Sequence, residues 1–455
     1  MIVLLFTIIL LFLNIYLFIK KKYLYLFVTC ILFLPEYYGI EFSYSLPILT
    51  VSRMMYIIFF FYVYKNHRRN ITLKEISFSN IPKEYFFLLG YFILRIISNL
   101  FYVTAYAQPV KTILELIVEQ FCFLVCIYLL APTKKELNSL IKVITYTAAV
   151  FYLIGILESI TFLRPFDLLY TVSRYMLNDH YIRLGFLRST TTFGLANLYG
   201  NMCILTLPLV LYMYHKTRSF RYTVFAALNF MAIIHSGCRS DMFFFFVLII
   251  GYLVVFCIDK QRKKAFLKNI SLALSIALLF IILSSLFSVH FKYYYSGTAK
   301  SLLNEVGFDF DLNEGKPADV EGYGSNASGG AHSRFVQFTG VYHALKTNPL
   351  FGQGAGAAAR KEITVLFKGK WEQISSIDVG YAEILIYEGI IGLCGFISLF
   401  VYLVLLARKK DLSAMSRRFS FALIATYLLC MLSSVNMYPY LLLYVVIISN
   451  QKEIS

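Results

Sequence analysis

Long apolar stretches separated by short polar segments run through almost the whole chain. The stretches are continuous, without the alternation of half-buried strands, and most reach the roughly 20 residues that a helix needs to cross a bilayer. The chain therefore predicts an all-α, polytopic transmembrane helix bundle of about 12–14 spans. The apolar runs lie at residues 1–19, 23–41, 46–64, 84–104, 110–130, 138–158, 191–214, 222–236, 241–258, 270–289, 379–406, 419–435 and 437–449.

Six clusters of basic residues fall between these runs. Placing all six in the cytoplasm leaves every other connection outside, and this alternation meets no contradiction. It predicts an external N-terminus, with residues 1–19 retained as a helix, and a cytoplasmic C-terminus. The clusters lie at residues 20–22, 65–69, 134–135, 216–221, 260–264 and 408–418.

Two polar segments, 159–190 and 290–378, are much longer than the others. The second divides the chain into N-terminal transmembrane helices (1–289), a long extracytoplasmic loop (290–378) and C-terminal transmembrane helices (379–455). The loop begins with three tyrosines, Tyr293–Tyr295, which predict an interfacial aromatic belt. Later in the loop, apolar residues at helical spacing predict an amphipathic helix on the membrane or over the bundle. These residues are Phe335, Phe338, Val341, Tyr342 and Leu345, with Ser333 as N-cap and Pro349 after the end.

The composition supports a membrane protein and excludes several other classes. Hydrophobic residues make up 59% of the chain and charged residues only 15%, against roughly 25% in soluble domains. These values exclude a soluble enzyme, a disordered chain and a fibrous protein. The net charge of +17 would suggest nucleic acid as partner of a soluble protein. Here it marks the cytoplasmic side, so the lipid bilayer is the predicted partner and nucleic acid is not.

No metal site or cofactor is predicted. All eight cysteines lie in or beside apolar runs, and none forms a CxxC pair. Asp309, Asp311 and Asn313 resemble the start of a calcium loop, but the glycine and glutamate that should follow are displaced by one position. The Gly352, Gly354 and Gly356 run predicts a tight turn, with a backbone nest for an anion as the alternative.

Ionised side chains inside predicted spans are expensive. Among them are Arg53, Arg95, Glu115 and Glu119. The two glutamates are one turn apart on the same helix face. We interpret them as structural ion-pair partners of Arg53 or Arg95, with contact to a substrate as the alternative.

Six arginines on the predicted external side depart from the usual inside preference of basic residues. They are Arg164, Arg174, Arg183, Arg188, Arg239 and Arg334. Arg188 precedes a span, Arg239 lies in a short turn between two spans, and Arg334 lies at the start of the loop helix. Because guanidinium groups match phosphate oxygens, these three predict capture of a lipid-linked phosphate or diphosphate. Contact with lipid headgroups is the alternative.

Four segments resemble the O-antigen polymerase/ligase superfamily of bacterial envelope glycosyltransferases. Residues 188–197 (RSTTTFGLAN) are similar to the family's Arg-x-x-Gly-x-Phe-x-x-Pro/Ala-Asn segment at the start of a span. Residues 236–240 (SGCRS) resemble its Ser-x-Ser-Arg-Ser/Gly turn. Residues 333–356 resemble its Ser-Arg…Pro-Leu-x-Gly-x-Gly external loop, and residues 378–392 resemble the segment that re-enters the membrane. The resemblance covers about residues 180–400.

The resemblance implies a glycosyltransferase that acts on glycans carried by undecaprenyl diphosphate, without metal, on the outer face of the bacterial cytoplasmic membrane. A polymerase adds the growing chain to a lipid-linked acceptor repeat unit of O-antigen, capsule or exopolysaccharide. A ligase moves the chain to lipid A–core, and usually has a His-Ser or His-Asn pair in the fourth segment. Residues 376–378 read Ser-Ile-Asp instead, which favours a polymerase. A flippase or other transporter is the alternative from another class. A chain-length regulator and a flippase are candidate protein partners.

The resemblance and the charge pattern together nominate the site residues. Arg188, Arg239 and Arg334 are the predicted diphosphate ligands, and Arg188 and Arg239 are also catalytic candidates because they would stabilise the leaving group. Three further residues are candidates for the base that activates the acceptor hydroxyl: Asp378, His332 and Glu383. A helix N-cap is the alternative role for Asp378.

Overall fold

The fold is a bundle of α-helices in a computed structural model that describes residues 2–42, 48–69, 82–172, 181–257, 260–320, 334–433 and 437–451. The prediction of an all-α polytopic membrane bundle is confirmed. In chain order the helices are α1 (Ile2–Ile19), α2 (Val51–Asn66), α3 (Glu84–Leu100), α4 (Ala107–Leu114), α5 (Phe123–Leu130), α6 (Lys134–Thr161), α7 (Ala196–Thr217), α8 (Phe220–His235), α9 (Arg239–Cys257), α10 (Lys260–Phe287), α11 (Val289–Asn304), α12 (Arg334–Thr347), α13 (Gly380–Ala407), α14 (Ala414–Cys430) and α15 (Tyr438–Ser449).

Three short antiparallel hairpins complete the described structure. They pair β1 (Gly39–Ile40) with β2 (Leu49–Thr50), β3 (Ile182–Arg183) with β4 (Phe186–Leu187), and β5 (Ile363–Phe367) with β6 (Lys370–Ile374). The sequence pattern did not predict these strands, because the first four are only two residues long and the last pair lies inside the long loop.

Five helical stretches of the described chain are long and apolar enough to cross a membrane. They are Ala107–Leu130, Lys134–Thr161, Ala196–Thr217, Phe266–Phe287 and Gly380–Ala407. The first joins α4 and α5 through a π-helical segment, Glu115–Cys122. Helix α7 lies at the centre, since 83% of its most apolar window is buried by other elements. The Phe266–Phe287 part of α10 buries only 17%, which suits a surface that faces lipid.

The segment 23–41 differs from the expected span. It forms a 3₁₀ turn (Tyr23–Tyr25) and a π-helical turn (Phe27–Ile31), then leaves helical structure before Pro35. Phe27 and Cys30 are buried within the bundle. The apolar character of this segment therefore reflects protein packing as well as contact with lipid.

The long loop is largely folded. Helix α12 confirms the predicted helix, but its buried side carries Gln337, Val341 and Ala344, which pack toward β5 and α13, whereas Phe338 and Tyr342 are exposed. The predicted interfacial belt at Tyr293–Tyr295 is wrong, because all three side chains are buried in α11. The division of the chain at residues 289 and 378 remains a prediction.

Arg53, Arg95, Glu115 and Glu119 all form ion pairs, and the pairing of Arg53 with the two glutamates was predicted from the sequence. Arg53 Nη2 lies 2.8 Å from Glu115 Oε1, and its Nε lies 2.6 Å from Glu119 Oε1. Arg95 pairs instead with Glu388 of α13 through two contacts of 2.7 and 2.6 Å. This second pair is buried, and it joins helices that are far apart in the sequence.

Helix α13 is interrupted directly after this pair. Gly389 has φ +63° and ψ −158°, and a Cβ there would collide with the backbone of Leu350 and Gly352. The carbonyls of Ile386 and Tyr387, next to the break, accept hydrogen bonds from the N–H groups of Gln353 (2.7 Å) and Gly354 (3.0 Å). The glycine run is thus a tight turn, and these two N–H groups are engaged by protein rather than by an anion.

Breaking the buried pair by Glu388→Gln should lower the free energy of unfolding by about 3–5 kcal/mol, because Arg95 would keep its charge without a partner. Glu314→Gln, which removes the exposed partner of Lys300, is the matched control and should change stability by at most about 1 kcal/mol. Denaturant unfolding in detergent micelles measures both. Equal stability of the two variants would contradict a structural role for the Arg95–Glu388 pair.

Candidate functional site

The turn between α8 and α9 forms the floor of the candidate site. Gly237 has φ +64°, which favours glycine, and the Cys238 N–H donates to Ser236 Oγ at 3.2 Å. Arg183 Nη1 donates to the Gly237 carbonyl at 2.5 Å. The turn directs Cys238 toward Arg188 and places Arg239 as the first residue of α9.

The segment that carries Arg188 is held from both sides. Ser189 Oγ donates to the carbonyls of Gly155 (2.6 Å) and His235 (3.0 Å). The N–H groups of Thr190 and Thr191 donate to the two oxygens of the Glu158 carboxylate at 3.1 and 2.9 Å. The hydroxyl-rich run after Arg188 therefore serves to fix its backbone against α6 and α8.

Two of the predicted phosphate ligands have only neutral partners among the described residues. Arg188 donates from Nε to the Ser236 carbonyl (3.3 Å) and from Nη2 to Cys238 Sγ (2.9 Å). Arg334, the first residue of α12, donates from Nη2 to Ser433 Oγ at 3.2 Å. Neither guanidinium forms an ion pair within the described chain.

Arg239 differs, because it forms an ion pair. Its Nη1 lies 2.6 Å from Glu305 Oε1, just beyond the end of α11. Glu305 is about half exposed, and a pair of this kind adds little stability. An incoming phosphate could therefore replace Glu305 at small cost.

Asp241 connects the arginines and was not predicted from the sequence. Its side chain is fully buried in the first turn of α9, and Oδ2 has no hydrogen-bond partner in the described structure. Arg334 and Arg188 both act electrostatically on this carboxylate. Arg188 and Arg334 thus act on one buried acid, and Arg239 precedes that acid by two residues; these three arginines are called the arginine cluster. An acid inside an apolar run is itself a functional signal, and it could have identified Asp241.

The remaining candidates lie apart from the cluster or beyond the described structure. Asp378 is not a side-chain cap: the N-cap of α13 is Val379, and the Asp378 N–H donates to Gln337 Oε1 at 2.9 Å. Glu383 lies in the first turn of α13 and lines a separate cavity. His332 lies outside the described residues, as does Arg174.

The approach of Asp241 to α7 depends on Gly200. A Cβ at Gly200 would overlap the Asp241 carboxylate. Gly200→Ala should therefore displace Asp241 and cost about 1–3 kcal/mol of stability by overpacking, with loss of activity. Gly251→Ala is the matched control, since a Cβ there meets nothing within 4 Å and alanine favours helix. Thermal unfolding in detergent compares the stability of the two variants, and gels of the envelope glycan compare their activity. Indistinguishable variants would show that the packing of Asp241 against α7 is unimportant.

Comparison with known proteins identifies the region that contains most of the site. Residues 224–397 match the family model described as O-Antigen ligase. No curated protein matches the chain. The matched region includes three of the four segments that carry the resemblance, together with Arg239, Asp241 and Arg334. Over residues 224–397, which are less than half of the chain, the sequence is similar to this family, and the similarity supports the predicted relation to the O-antigen polymerase/ligase superfamily.

Proposed function

We propose that this protein is a repeat-unit polymerase for a bacterial polysaccharide such as O-antigen, capsule or exopolysaccharide. It would transfer a glycan from undecaprenyl diphosphate to a lipid-linked acceptor repeat unit on the outer face of the cytoplasmic membrane. One observation carries the proposal: Arg188 and Arg334 both act electrostatically on the buried Asp241, and neither guanidinium forms an ion pair within the described chain.

The cluster suits a diphosphate for electrostatic reasons. Two of its arginines are the first residues of helices, α9 and α12, whose N-terminal N–H groups favour an anion. Two or more guanidinium groups can bind several phosphate oxygens at once, and at the edge of a bilayer the reduced screening strengthens each contact. A single phosphate headgroup would use fewer of these donors than a diphosphate.

The chemical step follows from what the cluster can hold. An acceptor hydroxyl attacks the anomeric carbon of the donor sugar, and the bond from that carbon to the diphosphate oxygen breaks. The electron pair leaves with the diphosphate, and the hydroxyl proton passes to a base. Arg188, Arg239 and Arg334 would stabilise the charge that develops on the leaving oxygen, which needs no metal.

The choice of polymerase rests on the start of α13. Ligases of this superfamily usually have a His-Ser or His-Asn pair just before this helix. This chain has Ser376 and Asp378 there and no histidine. His235, the buried histidine among the described residues, already has hydrogen-bond partners for both ring nitrogens: Ser159 Oγ at 3.0 Å and the Tyr295 hydroxyl at 3.1 Å. A ligase that transfers glycan to lipid A–core is the second candidate, because the matching family model carries that description.

Arg239→Ala should abolish long-chain polysaccharide and leave single repeat units on the lipid or core. Loss of one preorganised donor typically lowers the catalytic rate by about 100- to 1,000-fold. Silver-stained gels of the envelope glycan from a complemented deletion strain show the chain-length ladder. Lys370→Ala, which removes an exposed cation of the β5–β6 hairpin, is the matched control and should give the normal ladder.

Three results of this experiment have different meanings. A normal ladder for Arg239→Ala, with the variant present at wild-type level, would contradict the catalytic role of the cluster. Loss of all glycan, including single units, would favour a ligase or flippase. Long chains that accumulate on undecaprenyl diphosphate would favour the ligase specifically.

A further inference from the structure

A polar cavity is lined by Glu383 and twelve other residues of the described chain. Its volume is about 180 Å³, and it opens among α3, α4, the π-helical segment, α13, the start of α15 and the glycine turn at 355–356. Most of its lining is polar or aromatic, although it lies among helices of a membrane bundle. An unpaired polar group inside a membrane bundle costs free energy. The hydrogen-bond partners of the lining side chains therefore show which of these side chains are available to a ligand.

Most of the charged and amide groups in the lining are already paired. Arg95 and Glu388 bind each other, as described above, and Tyr438 accepts a further hydrogen bond from Arg95 Nη2 at 3.2 Å. Glu115 is held by Arg53 at 2.8 Å. Gln120 Oε1 accepts from the Tyr91 hydroxyl at 2.9 Å. These groups shape the wall, and their hydrogen-bonding capacity is largely used.

Two lining side chains have no such partner. The carboxylate of Glu383 and the amide of Gln108 form no hydrogen bond or ion pair with any described residue. Glu383 is partly buried within the cavity, and Gln108 is exposed beside Gly356. A carboxylate and an amide beside the tyrosine rings of Tyr387 and Tyr438 form a set of groups that suits sugar hydroxyls.

The cavity and the arginine cluster flank the first turns of the same helix. Gln337 lies one turn after Arg334 in α12, and its Oε1 accepts from the N–H groups of Asp378 (2.9 Å) and Val379 (3.3 Å) at the start of α13. Ser433, the partner of Arg334, is five positions before Tyr438, which lines the cavity. Glu383 follows Asp378 by five residues. A substrate that spans the first turns of α13 could therefore contact both sites.

We propose that this cavity is the acceptor subsite and that Glu383 is the general base of glycosyl transfer. The proposal rests on the proposed function. The acceptor sugar would place the attacking hydroxyl against Glu383 and a neighbouring hydroxyl against Gln108. As the oxygen bonds to the anomeric carbon, its proton passes to Glu383, and the diphosphate leaves toward the arginine cluster. Of the candidate bases among the described residues, Glu383 alone lines this cavity; Asp378 does not.

Glu383→Gln tests the catalytic part of the proposal. It keeps the shape of the side chain but removes the proton acceptor, and general-base catalysis contributes about 100- to 10,000-fold in rate. The assay uses the purified protein in liposomes. Its substrates are lipid-linked repeat units purified from a strain that lacks this protein. The turnover should fall by that factor, while the dissociation constant for undecaprenyl diphosphate should stay within about twofold of wild type. Glu372→Gln, on the exposed strand β6, is the matched control and should leave both unchanged.

Gln108→Leu tests the binding part. Because Gln108 is exposed, this variant should fold even if a change at Glu383 disturbs packing. The probe is the repeat-unit oligosaccharide released from its lipid, used as an inhibitor of the reaction. Loss of one hydrogen bond should raise its inhibition constant about 3- to 10-fold, with little change in turnover at saturating substrate.

The outcomes separate this inference from the proposed function. Wild-type turnover of Glu383→Gln would overturn the role of Glu383, and an unchanged inhibition constant for Gln108→Leu would overturn the subsite. Weaker binding of undecaprenyl diphosphate by Glu383→Gln would also overturn the role of Glu383 as general base, because the residue would then act on the donor. In all three cases the polymerase proposal would stand. It would fail separately if alanine at Arg188 and Arg239 left undecaprenyl diphosphate binding unchanged.

Discussion

The cost of placing charge in hydrocarbon determines where the ionised side chains of this bundle lie. Arg53 is neutralised by two glutamates, and Arg95 by Glu388, within contacts of 2.6–2.8 Å. Each of these arginines is paired because an unpaired one would destabilise the membrane-embedded structure by several kcal/mol. Against this background Arg188 and Arg334 are exceptions, because neither forms an ion pair within the described chain and both act on the one buried carboxylate of Asp241. An external anion would resolve their charge.

The positions of Arg188, Arg334 and Asp241 depend on close contacts that only glycine permits. Gly200 allows Asp241 to approach α7, and Gly237 allows the turn on which Arg188 rests. Gly389 and Gly352 let the long loop hydrogen-bond to the interrupted α13. The loop is therefore tied to the bundle near both the arginine cluster and the acceptor cavity. This connection gives a physical reason why the two sites could hold a donor and an acceptor in a fixed relation.

Much of the fold could be predicted from the sequence, because continuous apolar runs of this length need either lipid or a large protein core around them. The helix α12 and the ion pairing of Arg53 also follow from spacing and charge. The run at residues 23–41 misled the prediction, since apolar residues that pack against protein look like those that face lipid. The prediction of an interfacial belt at Tyr293–Tyr295 failed for a similar reason, since these tyrosines are buried against protein.

The candidate site was harder to predict, because its pairings join residues far apart in the chain. The contact of Arg95 with Glu388 spans almost 300 positions, and nothing local to either residue indicates it. Asp241 could have been found, since an acid in an apolar run directly follows the Arg239 motif. That Glu383 lacks a hydrogen-bond partner among the described residues could not have been predicted, because this depends on which neighbouring groups are already paired.

The most direct test of the account is reconstitution of the reaction with one purified protein. Protein in liposomes receives lipid-linked repeat units as the only glycan substrate, with a metal chelator present, and the products are separated by length. The account predicts a ladder of two or more repeat units, with one undecaprenyl diphosphate released for each linkage formed. Absence of any product longer than one unit, from protein that binds the lipid-linked substrate, would contradict it.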